Sequence, residues 1–173
     1  LYVRVGISPV STEGAKQNLE SESSWREFNT IRTVAKKIWN AALGKIEVLG
    51  GRPEQQKIFY TALYHCFVVP NTFSDVDGSY RGRDGKVHTG QDHVQYTVFS
   101  LWDTFRALHP LESLIDSART LDFIQTFLNQ YKEGGLLPVW ELAANETECM
   151  IGYHAIPVIL DAVRNGITGF DQE

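Results

Sequence analysis

Two tryptophan-containing segments of this sequence hold the side chains best suited to bind a ligand rich in hydroxyl groups. In the first, Ser100-Leu-Trp-Asp103, the spacing of a capping box predicts Trp102 and Asp103 in the first turn of a helix. The tryptophan ring offers an apolar face to the C–H surface of a sugar, and the carboxylate accepts hydrogen bonds from two adjacent hydroxyls. Arg106 follows one turn later and is expected to keep Asp103 ionised. The alternative is a capping aspartate beside a core tryptophan, with an exposed ion pair.

The second segment places a tryptophan and several polar side chains just before a predicted helix. Trp140, Glu141, Asn145 and Glu146 lie in a long connection and are expected to face the same region as Asp103. Asn145 or Thr147 is expected to cap a helix that begins near residue 147. Glu146 could bind a sugar, or act as a general acid if an apolar pocket raised its pKa; the alternative is an ordinary glutamate at a helix start. His154, expected inside that helix, is either a hydrogen-bonding residue of the site or a core histidine.

Hydrolysis of a glycosidic bond needs two carboxylates at a defined separation, and Asp103 and Glu146 are the pair that we select for testing. A metal site is not predicted. The aspartate-rich loop at 73–86 lacks EF-hand spacing, because a glycine directly follows its second aspartate. Two turns, at Asp77-Gly78 and Asp84-Gly85, around a small hairpin explain this loop more simply.

Helical periodicity dominates the sequence and determines where these residues must lie. Helices are predicted from a capping box at 24–27 to Gly44, from Pro53 onward, over 101–109, over 111–132 after a break at Pro110, and over 147–165. Alternating β-branched residues predict a strand over 1–10, a polar linker follows over 11–23, and a second short strand is predicted over 45–49.

Two long connections, about 70–96 and 135–146, separate the predicted helices. Consecutive antiparallel helices put every second connection at the same end of a bundle, so these two are predicted to meet, with the turn at His109-Pro110 at the other end. Long loops on a rigid scaffold commonly carry binding and catalytic residues. We therefore expect a site where these connections meet, on helical hairpins that favour an α/α toroid.

Composition narrows the classes of partner. The chain has 173 residues, 43% of them hydrophobic, which is enough for one domain-sized core. Its net charge of −5 is spread along the sequence without a Lys/Arg-rich block, which excludes nucleic acid as a partner. No apolar run approaches the roughly 20 residues that a membrane span needs.

Because the chain opens inside a strand-like run without Met, we expect further sequence before it.

Three segments in order strongly resemble glycoside hydrolase family 92 α-mannosidases. They are VPNTFSDVDGSYRG at 69–82, YTVFSLWDTFRA at 96–107 and LPVWELAANETECMIGYH at 137–154. The resemblance extends over nearly the whole chain and implies a mainly α fold, part of an (α/α)6 toroid, after a strand left from a β-sandwich domain. It implies residues 1–10 as that strand, 11–52 as a linker with a helix, and 53–173 as the first helices of an incomplete catalytic domain.

The resemblance also implies a secreted or periplasmic, calcium-dependent enzyme that removes terminal α-linked mannose from glycans with inversion. Trp102 and Asp103 match the family's mannose-pocket motif, and Arg106, Trp140, Asn145, Glu146 and His154 are expected to line the same site. The catalytic acid, the base and most calcium ligands are expected beyond residue 173, so this chain alone is predicted to be inactive and to require the remainder of the domain. A non-catalytic helical carbohydrate-binding or interaction module is the alternative.

Overall fold

The computed structural model describes residues 3–23, 27–90 and 92–172, and helices make up about half of the chain. The described helices are α1 (Thr12–Ser23), α2 (Phe28–Leu43), α3 (Pro53–Cys66), α4 (Leu101–Thr104), α5 (Leu108–Ile115), α6 (Ser117–Gly134) and α7 (Ala155–Arg164). The strands are β1 (Asn71–Thr72), β2 (Ser79–Arg81), β3 (Val87–Thr89), β4 (Tyr96–Thr97), β5 (Phe99–Ser100), β6 (Trp140–Leu142) and β7 (Asn145–Glu146). The predicted mainly helical class is therefore confirmed.

The polar segment predicted as a linker over 11–23 is mostly helix α1, so that part of the prediction is wrong. Ser11 Oγ accepts a hydrogen bond from the Gly14 amide (2.9 Å), as a helix cap does. Asn18 then donates to the Ile7 carbonyl (2.8 Å) and to the buried Asp75 carboxylate (2.7 Å). Long-range polar contacts position this helix, which has no apolar stripe for the analysis of periodicity to detect.

Residues 3–10 form no β-strand with any other described residue, so the predicted terminal strand is not present within them. A strand needs a backbone partner, and here side chains provide the contacts instead. Arg81 donates to the Pro9 carbonyl (2.9 Å), and Ser8 donates to Asp75 (2.6 Å). The domain boundary itself stays a prediction.

Helices α2 and α3 follow the sequence prediction closely at Gly44, the C-cap residue, and at Pro53, the first helical residue. The predicted capping box before α2 falls mainly on 24–26, outside the described residues. The strand predicted over 45–49 is wrong. The Tyr60 hydroxyl donates to the Ile46 carbonyl (3.3 Å) and accepts from the Val48 amide (3.2 Å), so a side chain replaces a strand partner.

The predicted break at Pro110 is also wrong, because Pro110 is the third residue of α5. An amide in the first turn of a helix has no intrahelical acceptor, so proline loses nothing there. The break falls at Asp116, whose φ of −148° and ψ of 65° are not helical. The turn predicted at His109-Pro110 therefore does not exist, and His109 is buried inside the core.

The core joins helices α6 and α7 to strand β5. Its fully buried members include Phe99, Phe123, Phe127 and Ala155. The ring of Phe99 meets those of Phe123 and Phe127 edge to face, at centroid distances of 5.6 and 4.8 Å. The two-residue strand that precedes the Trp102-Asp103 turn is thus anchored in the hydrophobic core.

Short strands occupy the two long connections. Strands β2 and β3 form the predicted hairpin around Asp84-Gly85, and β1 pairs with β4. Strands β5, β6 and β7 form one antiparallel sheet in that order. Helix α7 begins at Ala155 and not near 147, because the polar residues before it belong to β7 and the loop that follows. None of the described helices has both the length and the apolar composition that would let it cross a bilayer.

Candidate functional site

The β5-β6-β7 sheet brings the two tryptophan-containing segments together. Ser100 in β5 is opposite Trp140 in β6, and Phe99 is opposite Glu141. Glu141 is in turn opposite Glu146 in β7. The two segments are 40 positions apart at the Ser100–Trp140 pair, yet they share one small sheet beside the start of α4.

The two long connections meet, as predicted, although the turn at His109-Pro110 that the prediction placed at the other end does not exist. Arg83, in the first, donates from its side chain to the Leu136 carbonyl (2.7 Å) and from its amide to the Glu133 carboxylate (3.0 Å). Thr97, at the end of the same connection, donates to Glu141 in the second (2.9 Å). These contacts fix one loop-rich end of the molecule.

Trp102 and Asp103 lie at this end and are exposed, with 37% of the tryptophan accessible to solvent. Ser100 occupies the N-cap position of α4, as its spacing predicted, but its hydroxyl donates to Asp103 Oδ2 and caps no backbone amide. None of the described residues donates to Asp103 Oδ1. An aromatic ring and a carboxylate oxygen with capacity to accept hydrogen bonds are therefore both exposed at the start of α4, directly after Ser100, which pairs with Trp140.

Arg106 does not pair with Asp103. The guanidinium carbon lies 5.1 Å from the centroid of the Phe105 ring and 5.9 Å from that of Trp102, and no ion pair within 4.0 Å joins Arg106 to Asp103 in the described part of the chain. The expected ion pair between Arg106 and Asp103 is therefore wrong. A planar, weakly hydrated cation gains more from two adjacent rings than from one exposed carboxylate. Arg106 instead braces the Trp102 ring.

His154 joins the same surface through Phe105. It lies at the N-cap position of α7, not inside the helix, and its ring stacks on that of Phe105 at 4.2 Å with an interplanar angle of 9°. Its Nε2 atom is buried without a hydrogen-bond partner among the described residues. The neighbouring Tyr153 hydroxyl accepts from the Leu137 amide (3.1 Å). His154 is therefore not a satisfied core histidine.

Glu146 and Asn145 belong to β7 and cap no helix. The Glu146 carboxylate accepts hydrogen bonds from the amides of Val139 (2.9 Å), Trp140 (2.9 Å) and Glu148 (3.3 Å). A carboxylate that satisfies three backbone donors organises a loop, and both of its oxygens are already occupied. Asn145, by contrast, is exposed at the edge of the sheet.

No feature of the sequence indicates that Glu141 is the most buried charged residue of the site. It is 0% exposed, and its carboxylate accepts from the Thr97 hydroxyl (2.9 Å) and from the amides of Val98 (3.2 Å) and Ala144 (2.6 Å). Burial raises the pKa of Glu141 to about 7, and these hydrogen bonds, with one from Gln130, oppose the rise. Its full burial separates it from any ligand at the surface, despite a pKa suited to a general acid.

The arrangement is suited to binding and not, by itself, to bond cleavage. Of the predicted pair, Asp103 has an oxygen that accepts no hydrogen bond from the described residues, whereas both oxygens of Glu146 bind backbone amides of its loop. Among residues 3–23, 27–90 and 92–172, no group of three or more His, Cys, Asp or Glu side chains is placed to hold a metal ion. The described residues therefore offer no cluster of acidic ligands for a calcium ion.

Known proteins match this chain over nearly its whole length. The family model described as the glycosyl hydrolase family 92 catalytic domain matches residues 14–173. A family GH92 α-mannosidase of Bacteroides thetaiotaomicron, solved alone and in complex with mannoimidazole, superposes with a TM-score of 0.90 at 38% identity, over 95% of this chain and 22% of that one.

A family GH92 inverting mannosidase of Bacteroides thetaiotaomicron VPI-5482 gives a TM-score of 0.88 at 34% identity, again over 95% of this chain and 22% of that one. The chain thus spans about a fifth of the length of these structures. No curated protein sequence matches it. On the match of the family model to residues 14–173, this chain belongs to glycosyl hydrolase family 92.

Proposed function

We propose that this chain forms the mannose-binding wall of an exo-acting, inverting α-mannosidase that releases terminal mannose from glycans. The observation that carries the proposal is the β5–β6 pairing, which brings the segment leading into the exposed Trp102 and Asp103 next to the segment that carries Trp140, in a chain of this family. Support for a mannose-type ligand comes from the related α-mannosidase, whose structure was solved with mannoimidazole.

Each side chain of the wall has a role that follows from its contacts. The ring of Trp102, braced by Arg106, packs on the C–H face of the sugar. Asp103 accepts hydrogen bonds from sugar hydroxyls while Ser100 fixes its orientation. His154 stacks on Phe105, whose ring Arg106 also contacts, and in this way supports the residues around Trp102. Holding one hexose in this way orients the glycosidic bond for attack, which is how binding groups accelerate hydrolysis.

The remaining parts of the reaction belong to the rest of the enzyme in this proposal. Inversion requires an acid and a base on opposite sides of the sugar, separated enough to admit water. Because Glu141 and Glu146 are engaged in the loop, we place both catalytic carboxylates, and most ligands of a calcium ion, in further helices of an (α/α)6 toroid. The packing of α5, α6 and α7 against one another supports such a toroid. A secreted or periplasmic location goes with this class of enzyme.

The proposal is tested with the complete enzyme that contains this chain and with matched α-mannosides, β-mannosides and α-glucosides. We expect hydrolysis of α-mannosides alone, with β-mannose as the first product seen by proton NMR. Activity should be lost on chelation and recovered with calcium, and residues 1–173 alone should release no mannose.

Two results would contradict this function. The first is α-mannose as the first product, which means retention. The second is mannoside binding without turnover by the complete protein, which would favour a helical carbohydrate-binding module.

A further inference from the structure

Glu141 connects the segment that leads into Trp102 and Asp103 with the segment that carries Trp140. Its carboxylate accepts from the Val98 amide on one side (3.2 Å) and from the Ala144 amide on the other (2.6 Å). Thr97 completes the link: its hydroxyl donates to Glu141 (2.9 Å) and accepts from the Ala143 amide (2.7 Å). Two side chains thus tie together the chain before β5 and the turn between β6 and β7.

Backbone conformation shows what this link holds in place. Val98, Ala143 and Ala144 have φ values of 69°, 51° and 63°, in the left-handed region that L-residues with a Cβ rarely adopt. Val98 is β-branched, for which a positive φ is least favourable. Such conformations persist where surrounding contacts determine them, and the amides of all three residues donate to Glu141 or Thr97.

The strained positions lie next to the predicted ligand-binding residues. Val98 directly precedes β5, which leads into Trp102 and Asp103, and Ala144 directly precedes Asn145 in β7. Phe99, between Val98 and Ser100, is anchored in the core, so the direction of the chain at Val98 determines where the start of α4 emerges. A change in the bonds to Glu141 would therefore move the wall relative to the core.

We propose that Glu141 is a positioning residue that, with Thr97, sets the placement of Trp102 and Asp103 relative to Trp140 without touching the ligand. This inference deepens the proposed function and rests on it. Glutamine at 141 is isosteric, but its amide nitrogen cannot accept from a backbone N–H, so one of the two segments must lose its hydrogen bond.

The test compares Glu141→Gln with Glu112→Gln in the complete enzyme. Glu112 is a matched control, because it is a core glutamate that is 1% exposed and lies on α5, outside the wall. We expect Glu141→Gln to raise KM for an α-mannoside at least about tenfold with a smaller change in kcat, since a displaced binding wall weakens substrate capture. Loss of folded protein alone would lower the apparent kcat and leave KM unchanged, as would be seen if Glu141 were only a structural residue.

Hydrogen exchange separates this inference from the proposed function. Peptides covering 97–104 and 139–148 should exchange faster in Glu141→Gln and not in Glu112→Gln, whether or not the enzyme acts on mannosides. Unchanged exchange in those peptides would overturn the positioning role, and so would faster exchange with an unchanged KM. Absence of mannoside hydrolysis by the wild-type enzyme would overturn the proposed function, and the exchange result would still decide the link.

A double-mutant cycle and a second variant pair close the test. If Glu141 acts through Asp103, Glu141→Gln should raise KM by a smaller factor in the Asp103→Ala protein than in the wild type. Equal factors in the two backgrounds would contradict the inference. Should Glu141→Gln fail to fold, Thr97→Val removes the hydroxyl link from the other partner. Thr97→Val should raise KM, whereas Thr97→Ser, which keeps the hydroxyl, should have a KM close to that of the wild type. Equal KM values for the two Thr97 variants would overturn the role.

Discussion

Replacing Asp103 with alanine in the complete enzyme should lower kcat/KM on α-mannosides by at least about tenfold, the effect of losing one charged hydrogen bond. The reason is that Asp103 is exposed beside Trp102, with one oxygen bound by Ser100 and the other open to a ligand. Steady-state kinetics with an aryl α-mannoside measures the change. Asp103→Asn should lose less, because its amide oxygen still accepts a hydrogen bond.

The control for this prediction is Glu54→Ala, an exposed carboxylate in the first turn of α3, a helix that contributes no residue to the wall. Its kcat/KM should stay within about twofold of the wild-type value, as expected for a surface substitution away from the site. Equal kinetics for Asp103→Ala and the wild type would remove Asp103 from the binding site. Equal losses in both variants would point to a general effect of removing charge.

Replacing Glu146 with alanine should lower the free energy of unfolding by about 3 kcal/mol, because three backbone N–H groups lose a charged acceptor. Those groups belong to Val139, Trp140 and Glu148, so the loop that carries Trp140 loses its order at the same time. Urea unfolding measures the loss of stability, and hydrogen exchange in residues 137–148 measures the loosening of the loop.

Glu148→Ala provides the comparison, since Glu148 is an exposed carboxylate two positions further along the same loop. Its free energy of unfolding should change by less than about 0.5 kcal/mol. A Glu146→Gln protein that kept wild-type stability but lost all activity would contradict a loop-organising role and would restore Glu146 as the catalytic acid.

Sequence signals predicted helix ends correctly where the end depends on the residue at that position. Pro53 begins α3 and Gly44 ends α2, because a fixed φ and a helix-terminating residue act within one turn. Helix α1 was missed because its contacts reach as far as Asp75 and leave no apolar stripe. The start of α7 was misplaced because Asn145, Glu146 and Thr147 resemble a helix cap but form the β7 strand and the loop after it.

The candidate site was predictable in position and only partly in chemistry. Trp102 and Asp103 were found because capping spacing and helix order both put them at the loop-rich end. Glu141 was placed in the second long connection, but its burial was not predicted, because an acidic residue between Trp140 and Leu142 has no sequence feature that shows which face is buried. Its partners Thr97 and Val98 lie more than 40 positions away, and only the folded chain brings them together.

A structure of the complete enzyme with mannoimidazole, the ligand bound by the related α-mannosidase, tests most directly whether this sheet builds a mannose-binding wall. We expect the sugar-like ring to pack on Trp102 and to hydrogen-bond Asp103 at about 2.7 to 3.2 Å, on the side of the β5-β6-β7 sheet where Trp140 lies. A bound ligand that contacts neither Trp102 nor Asp103 would contradict the account.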